Sequence, residues 1–219
     1  MDANFDKAYL CDEVKVICGL DEAGRGPLAG PVVAGACILP EDLVIESLND
    51  SKKLSEKKRD ALYDIIIEKA VAWGVGIATP EEIDEINILE ASLLAMRRAL
   101  EDTKAKVDLL LVDGNINRGF PVPAIAVVGG DAKSPSIAAA SIIAKVTRDR
   151  MMVELDEKYP GYGLAGHKGY PTKSHKLAVY MNGPSECHRR SFLGFLERDR
   201  EKLEAEAEKL RSKQDANLI

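Results

Sequence analysis

The sequence predicts an α/β domain: a five-stranded mixed β-sheet flanked by helices, with a C-terminal helical extension. Three observations carry this. Short apolar runs rich in Val, Ile, Leu and Ala are bounded by Gly, Pro or Asp. Two of these runs come first, and the later ones alternate with segments of helical period. The last stretch, Glu197 to Lys213, carries six acids and six bases, a composition that suits an exposed helix.

The elements follow in chain order. Val14 to Leu20 reads as a buried strand ahead of a glycine-rich turn, and Val32 to Leu39, stopped by Pro40, as a second. Ser55 caps a helix whose apolar positions are Ala61, Leu62, Ile65 and Ile66. Val71 to Ala78 is a third strand. Thr79-Pro80-Glu81-Glu82 joins a capping residue, a proline at the first helical position and a glutamate at the third, and so starts a helix. Leu89, Leu93, Met96 and Leu100 mark the stripe of another. Val107 to Val112 is the fourth strand, ending on Asp113, and Ala124 to Val128 the fifth. Ser134-Pro135 opens the longest helix, to about Tyr159, and a loop rich in Gly, His and Lys follows. The expected division is a domain over 1–192 and a charged helical tail over 193–219.

Composition closes off several classes of function. With 219 residues, 46% hydrophobic and 30% charged, the chain is long enough for a core without disulfide or metal staples, and it is neither collagen-like nor disordered. No apolar run approaches the roughly 18 residues of a membrane span. Met1-Asp2-Ala3-Asn4 shows no secretory signal. Cysteines 11, 18, 37 and 187 are scattered, which predicts reduced thiols in a cytoplasmic protein and neither a disulfide frame nor a zinc site.

A net charge of −6 argues against a phosphate-rich partner until its distribution is read. Ser51 to Arg59 holds five basic residues against Glu56, and Gly161 to Lys176 holds three lysines, two histidines and no carboxylate, whereas Pro80 to Glu90 holds five acids. Folding can gather such basic segments on one nucleic-acid-binding face. By charge alone, solvated helix surface is the better explanation of them.

Two glycine patterns fail as nucleotide loops. Gly19 to Gly24 has P-loop glycine spacing but places Asp21 and Glu22 where phosphate oxygens would lie and lacks the Lys-Ser/Thr pair. Gly161 to Gly166 matches G-x-G-x-x-G but follows a charged helix instead of a strand. What remains is a set of acids at strand ends: Asp21 and Glu22 after the first strand, Asp113 after the fourth, and Asp131 after Gly129-Gly130. Singly, each is an ordinary turn residue. Converging, they would repel unless cations sat among them, and hard oxygen donors select Mg²⁺ or Mn²⁺.

The sequence resembles a known family at seven ordered blocks within 14–192. These are Gly-Leu-Asp-Glu-Ala-Gly-Arg-Gly-Pro-Leu-Ala-Gly-Pro-Val-Val (19–33), Asp-Ser-Lys-Lys-Leu (50–54), Val-Asp-Gly (112–114), Gly-Asp-Ala-Lys-Ser (130–134), Ala-Ser-Ile-Ile-Ala-Lys-Val-Thr-Arg-Asp (140–149), His-Lys-Gly-Tyr-Pro-Thr (167–172) and His-Arg-Arg-Ser-Phe (188–192). They are similar to ribonuclease HII of the bacterial type. The resemblance implies an RNase H-like fold and an endonuclease that hydrolyses the RNA strand of RNA–DNA hybrids. It also implies cutting on the 5′ side of ribonucleotides embedded in duplex DNA, leaving 3′-hydroxyl and 5′-phosphate ends, in ribonucleotide removal. By the same resemblance Asp21, Glu22, Asp113 and Asp131 bind two Mg²⁺ or Mn²⁺ ions, Gly24, Arg25 and Gly26 read the ribose 2′-hydroxyl, and Tyr170 packs on the sugar to its 3′ side.

Spacing adds candidate phosphate contacts. Ser134 caps the long helix, whose N-terminus favours an anion, and Ser141, Lys145 and Arg148 share one helix face. Lys52 and Lys53 join them from the Asp-Ser-Lys-Lys turn. His167, His175 and His188 read as structural or phosphate-facing rather than catalytic, and Arg189 and Arg190 as either substrate contacts or braces. The expected partners are RNA–DNA hybrid and ribonucleotide-containing DNA duplex, met by a monomer with no membrane role. Two other readings compete: an RNase H-like DNA nuclease or resolvase, against which the Gly-Arg-Gly turn speaks, and a non-cleaving hybrid-binding protein, against which the four acids speak.

Overall fold

The computed structural model describes residues 4–45, 48 and 54–216, with side chains as far as 212. Among these residues the strands are β1 (Ile17–Ala23), β2 (Val32–Ile38), β3 (Ala72–Ala78), β4 (Leu109–Asp113) and β5 (Ala124–Val127). They form one sheet in the order β3-β2-β1-β4-β5. β1 pairs antiparallel with β2, which pairs antiparallel with β3, whereas β4 lies parallel to both β1 and β5. The mixed five-stranded sheet is the expected one.

β1 begins and ends three residues later than expected. Its pairing with β2 carries on through Asp21↔Gly35, Glu22↔Ala34 and Ala23↔Val33, so Asp21 and Glu22 lie inside the strand. The apolar run that suggested Val14 as its start measures burial, whereas the ladder of backbone hydrogen bonds sets the true end.

Helices cover both faces. α1 (Glu56–Lys69) is capped by Ser55, and α2 (Pro80–Asp102) opens with a complete capping box between Thr79 and Glu82. α2 is the two expected helices run together across a kink at Asn87, where φ is 67° and the side-chain oxygen accepts the N–H groups of Leu89 and Glu90. An asparagine tolerates this left-handed backbone and caps the second half. α3 (Pro135–Lys158) is capped by Ser134.

The central strands can lie this close to helices because they lack side chains at the crossing points. A Cβ on Gly19 or Gly35 would run into the backbone of α3 at Ser136 and Ala140, and one on Gly76 into that of α2 at Ala95. Strand alternation then sorts the core. Cys18, Leu20, Leu110 and Val112 pack with Ile83, Leu93 and Met96 of α2. Ile17, Leu109 and Leu111 pack with Ile137 of α3.

Two expectations need correction in the last third. The predicted Gly/His/Lys loop contains α4 (Leu164–His167) and α5 (Lys173–Asn182), the latter capped by Thr172. Glycines masked the helical period there, although Thr172 was a readable cap. The tail folds as α6 (Phe195–Arg198) and α7 (Arg200–Ala216), and it is not wholly exposed. Leu193, Phe195 and Leu203 share an apolar cluster with Leu28 and Val179 of the main body, and Lys176 reaches Asp199 at 3.3 Å. Residue 192 therefore marks no break in packing.

Candidate active site

Alternation places the acids as well as the core. Ile17, Gly19 and Asp21 share the α3 face of β1, and Leu109, Leu111 and Asp113 the α3 face of β4. The parallel register pairs Leu20 with Val112, so one further step brings Asp21 beside Asp113. Asp21 is only 4% exposed. It accepts the N–H of Glu22 at 2.7 Å and hydrogen-bonds to the Ser141 hydroxyl on α3. Its pKa is pushed well above the usual carboxylate range, first by burial and then by the neighbouring charges of Glu22 and Asp113.

Asp131 arrives by a different route. After β5, Gly129 takes a left-handed conformation (φ 64°) and leads into the single 3₁₀ turn Gly130–Ala132. The N–H of Gly130 donates to Asp113 Oδ1 at 2.7 Å, and a Cβ on Gly130 would collide with Ile137. Asp131, 6% exposed, is thus one residue from a backbone group that grips Asp113. Glu22 pairs with Arg25 at 3.3 Å.

The donors are carboxylate oxygens, hard ligands suited to Mg²⁺ or Mn²⁺ and unsuited to soft metals. Among the described residues, no three His, Cys, Asp or Glu side chains close around one point as a ready-made cage. An open carboxylate set is how Mg²⁺ is commonly held, with waters and substrate phosphates completing the shell. The crowding of negative charge at Asp21 fits such an ion.

Beyond β1 the chain turns through Gly24, Arg25 and Gly26. Gly24 has φ 102°, and a Cβ there would run into the Arg148 side chain. Arg25 and Gly26 are exposed. The ring of Tyr170 lies over the turn, 3.8 Å from where a Gly26 Cβ would stand, and is 44% exposed. The carbonyl of Tyr170 accepts from Thr172 N–H at 2.8 Å and from His175 Nδ1 at 3.0 Å.

The three histidines pack in a row behind this loop, with His175 and His188 buried and His167 partly exposed. The N–H of Ser185 donates to His188 Nδ1, which leaves Nε2 of His188 as the donor to His175 Nε2 at 3.1 Å. His175 then donates from Nδ1 to Tyr170. The N–H of Gly169 donates to His167 Nδ1, so His167 donates from Nε2 to the Tyr162 carbonyl. The bonds between His188, His175 and Tyr170 are satisfied with both histidine rings neutral. Burial and the neighbouring rings hold His188 down at about 4, and burial lowers His175 as well. Of the structural and phosphate-facing roles the sequence leaves open, these bonds to backbone and to each other fit the structural one.

The phosphate stripe expected on α3 does not exist as a stripe. Arg148 is buried, and its guanidinium donates to the carbonyls of Pro31, Lys168 and Ala29 at 3.0, 3.0 and 3.2 Å. Lys145 bonds Asp149 at 2.7 Å, Ser141 faces Asp21, and the hydroxyl of the fully buried Ser134 accepts from Ile137 N–H. Spacing gave the shared face correctly but not the layer packed over it. Lys52 and Lys53 lie outside the described residues. The sequence also left Arg189 open. It is a brace, bonded to the carbonyls of Gly30, Arg25 and Gly24, while Arg190 is exposed.

Comparison with known proteins gives the family. The family model described as Ribonuclease HII matches residues 18–194. A Ribonuclease HII of Polynucleobacter necessarius subsp. necessarius is 55% identical over 180 residues, 80% of this chain and 91% of that one. One from Vibrio vulnificus is 57% identical over 188 residues, 86% and 88% of the two chains. The crystal structure of ribonuclease H2 from Pyrococcus horikoshii superimposes with a TM-score of 0.69 at 29% identity, over 87% of this chain and 99% of that one. Acids on adjacent strand ends, a Gly-Arg-Gly turn beside them and matches of this extent place the chain in the ribonuclease HII family, as an endonuclease of the ribonuclease H type that hydrolyses RNA in RNA–DNA hybrids.

Proposed function

We propose that this endonuclease also incises duplex DNA on the 5′ side of single embedded ribonucleotides, leaving 3′-hydroxyl and 5′-phosphate ends and so initiating ribonucleotide removal. The observation that carries the reading is adjacency. A buried carboxylate crowded by two others stands at one end of β1, and three residues later an exposed turn offers backbone groups at a spot with no room for a Gly24 side chain.

In this reading Asp21, Glu22, Asp113 and Asp131 hold two Mg²⁺ or Mn²⁺ ions. When bound, such ions lower the pKa of an attacking water and stabilise the leaving 3′ oxygen. The chain's own residues position charge. Ser141 and the Glu22 N–H orient Asp21, and the Gly130 N–H orients Asp113. A 2′-hydroxyl both donates and accepts, and the Gly24–Gly26 turn offers its oxygen backbone N–H donors, since the Gly24 and Arg25 carbonyls are taken by Arg189. Tyr170 packs its exposed ring on the adjoining sugar. Lys52 and Lys53 contact backbone phosphates. No histidine is needed as a base, since His175 and His188 are buried and bonded to each other.

Lys145 and Ser134 do not extend this list, being engaged with Asp149 and Ile137. The protein works as a cytoplasmic monomer. The four cysteines are free thiols, which suits a reducing compartment.

The test is a DNA duplex carrying one ribonucleotide, end-labelled, with the cut mapped to the nucleotide. Incision at the phosphate 5′ to the ribonucleotide, with none in the all-deoxy duplex, is the expected result. Cleavage of RNA–DNA hybrid alone, or of both DNA duplexes, overturns the reading.

A further inference from the structure

Arg189 is 0% exposed, and none of the acceptors of its guanidinium is a carboxylate. Nε donates to Gly30 O at 2.9 Å, Nη1 to Arg25 O at 3.1 Å and Nη2 to Gly24 O at 2.6 Å. Its own N–H donates to Leu28 O at 2.9 Å, and the guanidinium lies 5.2 Å from the Phe192 ring centre. A buried cation is costly to desolvate. What this one obtains is a planar fork that draws three carbonyls of a single turn toward one point.

The consequence follows from peptide geometry. The bonds of this turn are trans, and in a planar trans peptide the C=O and the N–H of the next residue point in opposite directions. If the carbonyls of Gly24 and Arg25 face inward to Arg189, the N–H groups of Arg25 and Gly26 face outward. Both residues are exposed, and among the described residues neither N–H has an acceptor within the chain. Two free donors therefore stand side by side on the surface, aimed by one buried side chain beneath them.

We propose that Arg189 is a positioning residue for ribose discrimination: by fixing the peptide planes 24–25 and 25–26 it aims the Arg25 and Gly26 N–H groups at the 2′-hydroxyl oxygen of the ribonucleotide. This rests on the reading that the Gly24–Gly26 turn is what meets the 2′-hydroxyl. Arg148 differs in kind. It holds Ala29, Pro31 and Lys168, the frame around the turn, and leaves the two peptide planes to Arg189.

The test is equilibrium binding of the full chain, in Ca²⁺ to suppress turnover, to a DNA duplex with one ribonucleotide and to the all-deoxy duplex of the same sequence. Arg189→Lys keeps the positive charge but cannot bond three carbonyls in a plane. Its affinity for the ribonucleotide duplex should fall by about tenfold, the worth of one well-made hydrogen bond to a polar partner, with the all-deoxy affinity unchanged. Equal losses for both duplexes, or an unchanged ratio, overturn the proposal while sparing the turn itself. Absence of any preference in the wild type sinks the 2′-hydroxyl reading beneath it. Should Arg189→Lys fail to fold, ¹⁵N relaxation of the wild type decides. Order parameters for Arg25 and Gly26 near those of rigid backbone, about 0.85, support the brace, and values below about 0.6 overturn it.

Discussion

The two halves of the site are built on opposite electrostatic plans. At the ends of β1 and β4, carboxylates crowd together, and burial plus like charge raise the Asp21 pKa. A few residues on, two buried guanidiniums sit under the Gly24–Pro31 turn, and every one of their six hydrogen bonds ends on a backbone carbonyl. The first half is left electrostatically strained, a strain that a cation relieves. In the second the guanidiniums are satisfied within the chain and hold the turn's shape without a ligand. Chemistry and recognition should therefore be separable by mutation.

The largest effect is expected from Asp113→Asn. The amide oxygen can still accept from Gly130 N–H, so the fold should hold, but cleavage in Mg²⁺ should fall by at least about a thousandfold as an ion ligand is lost. Preference for the ribonucleotide duplex over the all-deoxy duplex, measured by equilibrium binding in Ca²⁺, should survive. Single-turnover rates showing substantial residual activity would remove Asp113 from the ion set.

Tyr170→Ala comes next. The ring is half in solvent, so the thermal midpoint should move little. Cleavage at a single ribonucleotide should slow on the order of a hundredfold, because small misplacements at a reacting centre are that costly. Loss of activity that tracks unfolding would return the residue to a packing role.

Gly24→Ala tests the rigid half by forcing it. A Cβ at φ 102° is strained and meets the Arg148 side chain, so a loss of about 1–3 kcal/mol in urea unfolding is expected, with weaker ribose preference. A stability within error of wild type would mean that the turn yields easily, against the account.

The smallest effect concerns the histidine chain behind Tyr170. His188 is held at about 4 and His175 is lowered, against an ordinary value of 6.5. Burial first, then the two rings facing each other and the neighbouring Arg190 and His167, oppose protonation. The unfolded chain therefore binds more protons between these values, and stability should fall as pH drops from about 6.5 toward 4. Urea midpoints across that range should fall less steeply for His188→Asn than for wild type. Parallel slopes would exclude the stack as their source.

How much of this was readable beforehand follows the same divide. Capping chemistry at Ser55, Thr79, Ser134 and the strand patterns predicted the sheet and its main helices, because those signals are local. The four acids were visible as carboxylates that no apolar strand end requires, and the resemblance named them. Burial over the helix face was not visible. Ser141, Lys145 and Arg148 do share a face of α3, but what covers that face comes from residues 29–31 and 168, over a hundred positions away for the first three. The same long-range packing hid Arg189, whose acceptors lie some 160 residues back, and buried Leu203 in a tail that reads as pure surface.

The claim that the acids form a strained, ion-seeking cluster is most directly tested by thermal unfolding of wild type and Asp113→Asn with and without Mn²⁺. Without the ion, Asp113→Asn should be as stable as wild type or more so, since one of the charges opposing Asp21 is gone. With it, wild type should gain stability through linkage and Asp113→Asn should gain much less. A variant less stable than wild type without Mn²⁺, combined with equal gains on adding it, would contradict the account.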